Sequence, residues 1–330
     1  MTFPKAEMVS VGDVSLAVYR DGPMPGSVDK PTVVLLHGWP EIAYSWRYQI
    51  KALADAGYPV IAPDNRGYGA SDKPDGVENY QIGKLTSDCA GLLDHYGVEK
   101  AVFVGHDWGA ILLWTLPFYQ KDRLLGCVGL NVPLMGRPPA DPVSMFRMAF
   151  GEDMYIVRFQ TEGYGEKILE ADLARTFRFF FRKPRDENAK TGLKDGAFEN
   201  EKLTLLTLLQ QDESKWGGVP LMSEDDIQVY VDGYKDGMTA PLHWYRNFKH
   251  NHDDMAQFVG DDGKYPFVDL PCLQFLCELD RACPPSLATG MENRCGPLET
   301  VMLDGCGHWS QIERTEDINS HLIDWLERHF

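Results

Sequence analysis

The stretch "FVGHDWGAILLW", Phe103 to Trp114, decides how the fold of this chain is interpreted. Its first half is an apolar run typical of a buried strand, and its second half is typical of a buried helix. Asp107 stands at the corner between them, with Gly105 and Gly109 on either side. A carboxylate at such a corner must be solvated, paired or used in chemistry, so the segment predicts either a helix N-cap or a functional site.

Apolar runs typical of buried strands recur along the chain, and helical patterns separate them. The N-terminal segment alternates on both sides of the Gly12-Asp13 turn, which predicts a hairpin. The other predicted strands are residues 31–36, 58–64, 100–105, 124–131, 272–277 and 299–303. This alternation predicts an α/β fold with a mostly parallel sheet flanked by helices.

Two predicted helices have recognisable ends or faces. Ser45 is a residue type that caps helix N-termini, and Gly57 is a type that ends helices, so a helix is predicted between them. The C-terminal segment predicts a helix with one apolar face. That face consists of Ile318, Leu322, Trp325, Leu326 and Phe330.

The alternation of strands and helices breaks near residue 133 and returns near residue 268. Between these points helical and aromatic segments dominate, with Pro- and Gly-rich stretches at both ends. The predicted layout is therefore an α/β core over 1–132, a mostly helical cap over 133–267, and the second part of the core over 268–330.

The bulk composition excludes several classes of partner. The 330 residues are 44% hydrophobic and carry a formal net charge of −17, so the surface should repel nucleic acids and anionic membranes. No segment approaches the roughly 18 apolar residues of a membrane span. The first residues, "MTFPKAEMVS", contain no apolar region of a secretion signal, and we expect a cytoplasmic protein.

The cysteines and histidines give no sign of a required metal. The seven cysteines form no CxxC pair and several lie in apolar runs, which predicts free, buried thiols in a reducing compartment. The run "HNHDD", residues 250–254, lacks a helical i, i+4 pair of histidines and predicts a solvated loop or helix end. No cofactor is predicted.

Polar residues follow four of the predicted strands, where ligands of open α/β sheets bind. These residues are His37 to Glu41, His106 to Gly109, Glu278 to Asp280, and Asp304 to Trp309. Gly105 to Gly109 has the form Gly-x-nucleophile-x-Gly, with Asp107 where Ser is usual. Asp107, Asp280 and His308 also occur in the order nucleophile, acid, base.

Other acids compete with Asp280 for the acid position. Asp64, Asp269 and Asp304 are alternatives, although Asp304 lies only four residues before His308 and could cap a turn. The end of the earlier strand, where some related chains carry the acid, holds Asn131, which cannot be charged. His37 and His106 flank the site and are predicted to fix loops through hydrogen bonds.

Several motifs together resemble the epoxide hydrolases of the α/β-hydrolase fold, soluble type. They are "HGWPEIAYSWR", "PDNRGYGASDKP", "GHDWGA", "HWYRN", the Asp280 segment and "GCGHWSQ". The resemblance implies that Asp107 attacks a carbon of the substrate to form a covalent ester. It also implies that water activated by His308 and Asp280 then hydrolyses this ester. It also implies an oxyanion hole from the backbone N–H groups of Trp39 and Trp108.

The same resemblance implies further site residues. A cis bond is expected before Pro40, and the side chains of Trp39, Trp108 and Trp309 are expected to line the substrate pocket. Two cap tyrosines, Tyr155 and Tyr245, are expected to assist the epoxide oxygen, because a neutral phenol donates a hydrogen bond at pH 7. Tyr230 and Tyr234 are spaced as one packed helix face and predict packing residues instead.

The nearest alternative activity is haloalkane dehalogenation, since "GHDWG" is shared with that family. Trp108 suits a halide donor, but Trp39 stands where many dehalogenases have Asn, and paired tyrosines favour an oxygen leaving group. A haloacid dehalogenase, a non-catalytic binding protein and an ordinary esterase fit less well. The expected partners are a small apolar epoxide and water, and the chain is either a monomer or a homodimer.

Overall fold

The computed structural model describes residues 3–183 and 204–330. The strands are β1 (Ala6–Val11), β2 (Val14–Asp21), β3 (Val33–Leu36), β4 (Val60–Pro63), β5 (Ala101–His106), β6 (Leu124–Leu130), β7 (Arg182–Lys183), β8 (Val219–Pro220), β9 (Val268–Cys277) and β10 (Cys295–Leu303). The helices of the first half are α1 (Arg47–Asp55), α2 (Ile82–His95), α3 (Trp108–Tyr119), α4 (Pro142–Phe150), α5 (Tyr155–Arg158) and α6 (Tyr164–Leu169). The later helices are α7 (Leu173–Phe180), α8 (Leu205–Leu209), α9 (Glu224–Gly233), α10 (Thr239–Arg246), α11 (Phe248–Asp254), α12 (Ser310–Glu313) and α13 (Thr315–His329).

Eight of the strands form one sheet in the order β1-β2-β4-β3-β5-β6-β9-β10. The pairs β1–β2 and β2–β4 are antiparallel and the remaining neighbours are parallel. Strands β3, β4 and β5 are buried along their whole length, as strands with helices on both faces of the sheet must be. The predicted α/β fold with a mostly parallel sheet is confirmed.

The chain divides into two compact units. The sheet unit comprises Met1–Pro74, Ile82–Gly136 and Phe258–Phe330, and the helical unit comprises Asp75–Gln81 and Arg137–Gln257. The short first piece of the helical unit contains a 3-10 helix, Val77–Tyr80. It belongs there because Asn247 Nδ2 donates to the Val77 carbonyl at 2.7 Å and the ring of Tyr80 contacts that of His243.

Packing in the helical unit is aromatic. Tyr230 and Tyr234 are at most 1% exposed, and their ring centroids lie 5.5 and 5.1 Å from that of Phe177. Both tyrosines are therefore packing residues, as predicted. The two-residue strands β7 and β8 pair antiparallel in this unit, where the sequence predicted no strand.

None of the helices in the described ranges combines the length and the apolar character that crossing a membrane requires.

Two helix predictions need correction. Ser45 does not cap α1, because residues Ala43–Trp46 form a 3-10 turn and α1 begins only at Arg47. Phe330 lies after the end of α13 and is 40% exposed, whereas the other four predicted face residues are buried. A residue beyond the last turn of a helix no longer follows the helical period, so its side chain need not continue the apolar face.

Candidate active site

Asp107 occupies a sharp corner between the end of β5 and the start of α3. Its backbone has φ 50° and ψ −121°, a conformation that a non-glycine residue rarely adopts. A Cβ added to Gly109 would fall on the Leu36 carbonyl, and one added to Gly105 would meet the backbone of Gly109. The two glycines thus allow strand, corner and helix to approach closely, and Asp107 is not a simple helix cap: its side chain makes no cap hydrogen bond.

The structure brings Asp107, Asp280 and His308 together in the sheet unit. Asp280 follows β9 and His308 follows β10, and Nδ1 of His308 lies 2.9 Å from Oδ2 of Asp280. Nε2 of the same ring lies 3.6 Å from Oδ2 of Asp107. One imidazole therefore stands between two carboxylates, within hydrogen-bond distance of Asp280 and slightly farther from Asp107.

Asp280 is fixed on both of its oxygens. The backbone N–H groups of Ala282 and Cys283 donate to Oδ1 at 2.9 and 3.0 Å. Asn131 Nδ2 donates to Oδ2 at 2.7 Å, alongside His308. Burial raises the pKa of Asp280, but the charge of His308 and these donors outweigh it and hold the pKa well below its usual range.

The pKa of His308 moves the other way. Burial lowers it, but the charges of Asp280 and Asp107 and their hydrogen bonds outweigh burial and raise the pKa well above its ordinary value of 6.5. Glu313 fixes the loop around this histidine, because its carboxylate accepts from the Gly307 and Trp309 amides at 2.9 and 3.1 Å.

The loop after β3 also contacts the nucleophile position. The amide of Trp39 donates to Oδ1 of Asp107 at 2.8 Å, and the Trp39–Pro40 bond is cis, as expected. Trp108 is the first residue of α3, next to Asp107. The side chains of Trp39, Trp108 and Trp309 are all at least 96% buried, and the Trp309 ring packs edge-on against His308 at 4.8 Å.

Tyr155 and Tyr245 lie in the helical unit, at the start of α5 and near the end of α10. Their rings contact each other edge to face, with centroids 6.0 Å apart. Phe159 packs against both, at 5.5 and 5.3 Å. Of the 14 tyrosines in the chain, the two that are predicted to assist the epoxide oxygen are therefore in contact with each other.

A buried hydrogen-bond network, which the sequence did not predict, lies behind the site. Glu41 is 0% exposed, and its Oε2 accepts from the Gly38 amide at 2.9 Å and from His106 Nδ1 at 2.7 Å. Nε2 of His106 faces the His308 carbonyl at 2.7 Å. Each ring nitrogen of His106 thus faces an oxygen acceptor, which fixes the orientation of the ring.

This network connects three loops of the sheet unit. Gln311 extends it by donating from Nε2 to Oε1 of Glu41. We call Glu41, His106 and Gln311 the buried network. His106 immediately precedes Asp107, Gly38 precedes Trp39, and Gln311 lies three residues after His308. The network therefore fixes the corner at Asp107, the loop after β3 and the loop around His308 relative to one another.

His37 and Asn131 are structural partners of the site. His37 is 1% exposed; its Nε2 accepts from the Asn65 amide at 2.9 Å and its Nδ1 donates to the Gly38 carbonyl. It therefore fixes loops, as predicted. Asn131 has φ 66°, donates to Asp280, and accepts at Oδ1 from Ser310. In some related chains the acid stands at the position of Asn131. Here Asn131 instead donates a hydrogen bond to the predicted acid, Asp280.

Comparison with known proteins shows the family of this chain. A family model described as alpha/beta hydrolase fold matches residues 31–315, and the chain belongs to that family. Within it, the chain is 38% identical to epoxide hydrolase A of Mycobacterium tuberculosis, over 99% of this chain and 98% of that protein. It therefore belongs to the epoxide hydrolases of this fold.

Other relatives support the same placement. The chain is 36% identical to bifunctional epoxide hydrolase 2 of Sus scrofa over 90% of its own length, although it spans only 51% of that protein. The crystal structure of epoxide hydrolase A from Mycobacterium thermoresistibile superposes with a TM-score of 0.84, at 36% identity and 98% coverage of both chains. An epoxide hydrolase from Vigna radiata superposes with a TM-score of 0.79 at 29% identity and 98% coverage of both chains.

Proposed function

We propose that the protein hydrolyses a small apolar epoxide to a vicinal diol through a covalent ester on Asp107. The observation that carries the proposal is the placement of the His308 ring between Asp107 and Asp280, at 3.6 and 2.9 Å. A carboxylate nucleophile, a base and an orienting acid are the groups that a two-step displacement and hydrolysis require.

In the first step Oδ2 or Oδ1 of Asp107 attacks a ring carbon, and the C–O bond of the epoxide breaks. The electron pair of that bond goes to the ring oxygen, which takes a proton. We assign Tyr155 and Tyr245 as the donors to this oxygen, since a neutral phenol keeps its proton at pH 7 and gives it up to an alkoxide. Their mutual contact supports a shared task.

In the second step water attacks the ester carbonyl, with His308 taking one of its protons. The ester C–O bond then breaks, and its electron pair goes to the diol oxygen, which takes the proton from His308. The second proton of the water is released from Asp107 and restores the phenol that protonated the ring oxygen. The backbone N–H groups of Trp39 and Trp108 are the assigned donors to the developing oxyanion. Ester formation removes the negative charge of Asp107, which is one of the influences that raise the pKa of His308. The pKa of the imidazole therefore falls at the stage when it has to act as a base.

The order of these steps can be tested with His308→Gln. We expect this variant to form the ester but not to hydrolyse it, so incubation with an epoxide such as styrene oxide should raise the protein mass by the mass of one substrate molecule. Peptide mapping by mass spectrometry should locate the addition on Asp107. An unmodified protein after prolonged incubation would contradict the proposal.

The matched control is Asp107→Ala, which removes the nucleophile and leaves the base. It should neither gain mass nor produce diol. Diol production at the wild-type rate by Asp107→Ala would show that the nucleophile assignment is wrong.

The tyrosines are tested by Tyr155→Phe and Tyr245→Phe combined. We expect the double variant to fold and to lose ring opening, while Tyr230→Phe, at a packing position, keeps it. An unchanged rate of alkylation in the double variant would exclude the assigned role. A panel of epoxides and haloalkanes, scored for diol and for halide, distinguishes the proposed activity from a dehalogenase.

The cysteines and the net charge indicate the compartment and the partners that we propose. All seven cysteines are free thiols, which suits a reducing compartment such as the cytoplasm. With a net charge of −17, neither nucleic acid nor an anionic membrane is a proposed partner.

A further inference from the structure

Three side chains with metal-binding atoms meet at the end of β9. Among the residues that the structure describes, Asp280, Cys283 and His308 offer one oxygen, one sulfur and one nitrogen, all within 4.8 Å of one another. Asp280 is buried, whereas Cys283 and His308 are partly exposed. The mechanism proposed above uses Asp280 and His308 but gives the thiol of Cys283 no task. Of the seven cysteines, Cys283 alone is not buried.

The donor set fits a thiophilic cation. Zinc binds thiolate, imidazole and carboxylate at roughly 2.0–2.3 Å and takes three protein ligands plus water in a tetrahedral arrangement. Bonds of that length place ligand atoms within about 4 Å of one another, so small shifts would close the present cluster on an ion. Mg²⁺ and Ca²⁺ prefer sets made of oxygen alone, which this cluster does not offer.

The electrostatic surroundings also favour a cation. Two carboxylates lie at the cluster, because Asp280 is one of its members and Oδ2 of Asp107 lies 3.6 Å from Nε2 of His308. A divalent cation is attracted to such a pair of negative charges. The net charge of −17 raises the concentration of cations near the whole surface.

We propose that Asp280, Cys283 and His308 form a binding site for a thiophilic divalent cation such as Zn²⁺, and that the bound ion inhibits the enzyme. The Cys283 thiol and the His308 imidazolium each release a proton to solvent as the metal–sulfur and metal–nitrogen bonds form, because only a thiolate and a ring nitrogen with a free lone pair bind a metal. That nitrogen is then withdrawn from the arrangement that activates water. The reaction itself needs no metal, and the inhibitory half of this inference rests on the proposed function.

Binding is tested without turnover by adding Co²⁺ to the purified protein. A thiolate bound to tetrahedral Co²⁺ gives a charge-transfer absorption in the near ultraviolet. We expect this band in the wild type and in Cys89→Ala, a control that removes a buried thiol in α2. The band should be absent from Cys283→Ala, Cys283→Ser and His308→Gln. A band that persists in the Cys283 variants, or no band in the wild type, overturns the site whether or not the protein hydrolyses epoxides.

Inhibition is tested with Zn²⁺ on epoxide hydrolysis. Cys283→Ala keeps the backbone N–H that Asp280 accepts from, so its basal activity should equal that of the wild type. Its inhibition should need at least about tenfold more Zn²⁺, since even loss of a residue that only supports a metal ligand costs roughly 10–100-fold in affinity. Mg²⁺ should not inhibit, and EDTA should restore activity. Equal zinc sensitivity of the wild type and Cys283→Ala overturns the inhibitory role.

Discussion

His308 is the residue whose charge state links structure to chemistry. Its pKa is raised because the two neighbouring carboxylates outweigh burial. We expect an NMR titration of the His308 imidazole to give a pKa above 6.5, and Asp280→Asn to lower that pKa, since it removes the largest raising influence. A pKa unchanged by Asp280→Asn would contradict the charge assignment.

The same shift has a consequence for stability with a definite sign. A pKa that is raised in the folded state stabilises the fold fully below pH ~6.5, and this contribution is lost as pH rises through the raised value. The depressed pKa of Asp280 acts in the opposite direction, since its contribution is present above pH ~3.9 and is lost as pH falls further.

Glu41 is the residue on which the buried network depends. Replacing it by Gln keeps its shape but puts a neutral amide where a buried carboxylate accepts from the Gly38 amide and faces His106. We expect Glu41→Gln to lower the free energy of unfolding by about 1.5–3 kcal/mol, the range for hydrogen bonds to a charged group, and to reduce kcat, measured by urea denaturation and by diol formation. The control is Glu224→Gln, which breaks the exposed ion pair with Arg178 and should change stability very little. Equal effects of the two substitutions would contradict the role of the network.

The sequence indicates some of these residues and not others, for a physical reason. Asp107, Asp280 and His308 each follow an apolar strand run, and parallel strands bring their carboxyl ends to the same edge of a sheet. Glu41 and Gln311 are 270 positions apart, and no local pattern tells which side chains of two distant loops will meet. Glu41 is the one charged residue of the segment 38–43, which otherwise consists of apolar residues and glycine, and this is the signal that could have indicated it.

At the scale of elements, the corner between β5 and α3 requires the backbone of α3 to lie very close to the end of β3. Gly109→Ala would drive a methyl group into the Leu36 carbonyl, so we expect it to destabilise the protein by at least about 1–3 kcal/mol. Gly83, in α2, is the matched control, because a Cβ there would meet only the Tyr119 ring at an ordinary 3.5 Å. Gly83→Ala should be neutral or stabilise by up to about 1 kcal/mol. Thermal denaturation of both variants checks the contrast, and a stable Gly109→Ala protein would refute it.

The elements themselves differ in how well they could be predicted. The central strands β3, β4 and β5 were predictable because burial on both faces demands uninterrupted apolar runs. The start of α1 was not, since Ser45 looks like a cap but lies in a tighter 3-10 turn. Strands β7 and β8 have two residues each, which is too few to show the alternation of apolar and polar residues that predicts a strand.

At the scale of the whole molecule, charge is the dominant feature. The chain has 49 acidic and 32 basic side chains, so at neutral pH the folded state repels itself. We expect the melting temperature at pH 7 to rise when NaCl is increased from low to moderate concentration, because salt screens that repulsion. Near the isoelectric point of about 4.9, added NaCl should no longer raise the melting temperature. A melting temperature that falls with salt at pH 7 would contradict this account.

The glycines around Asp107 also bear on how lineages of such proteins diverge. Gly38, Gly105 and Gly109 are required because a methyl group at any of them would collide with Asp107 or with backbone, irrespective of whether the carboxylate reacts. A descendant chain that lost Asp107 would still be under selection to keep these glycines. Their presence in a newly sequenced gene therefore reports inheritance of the architecture, and only the residue at the centre of the corner bears on the proposed nucleophile.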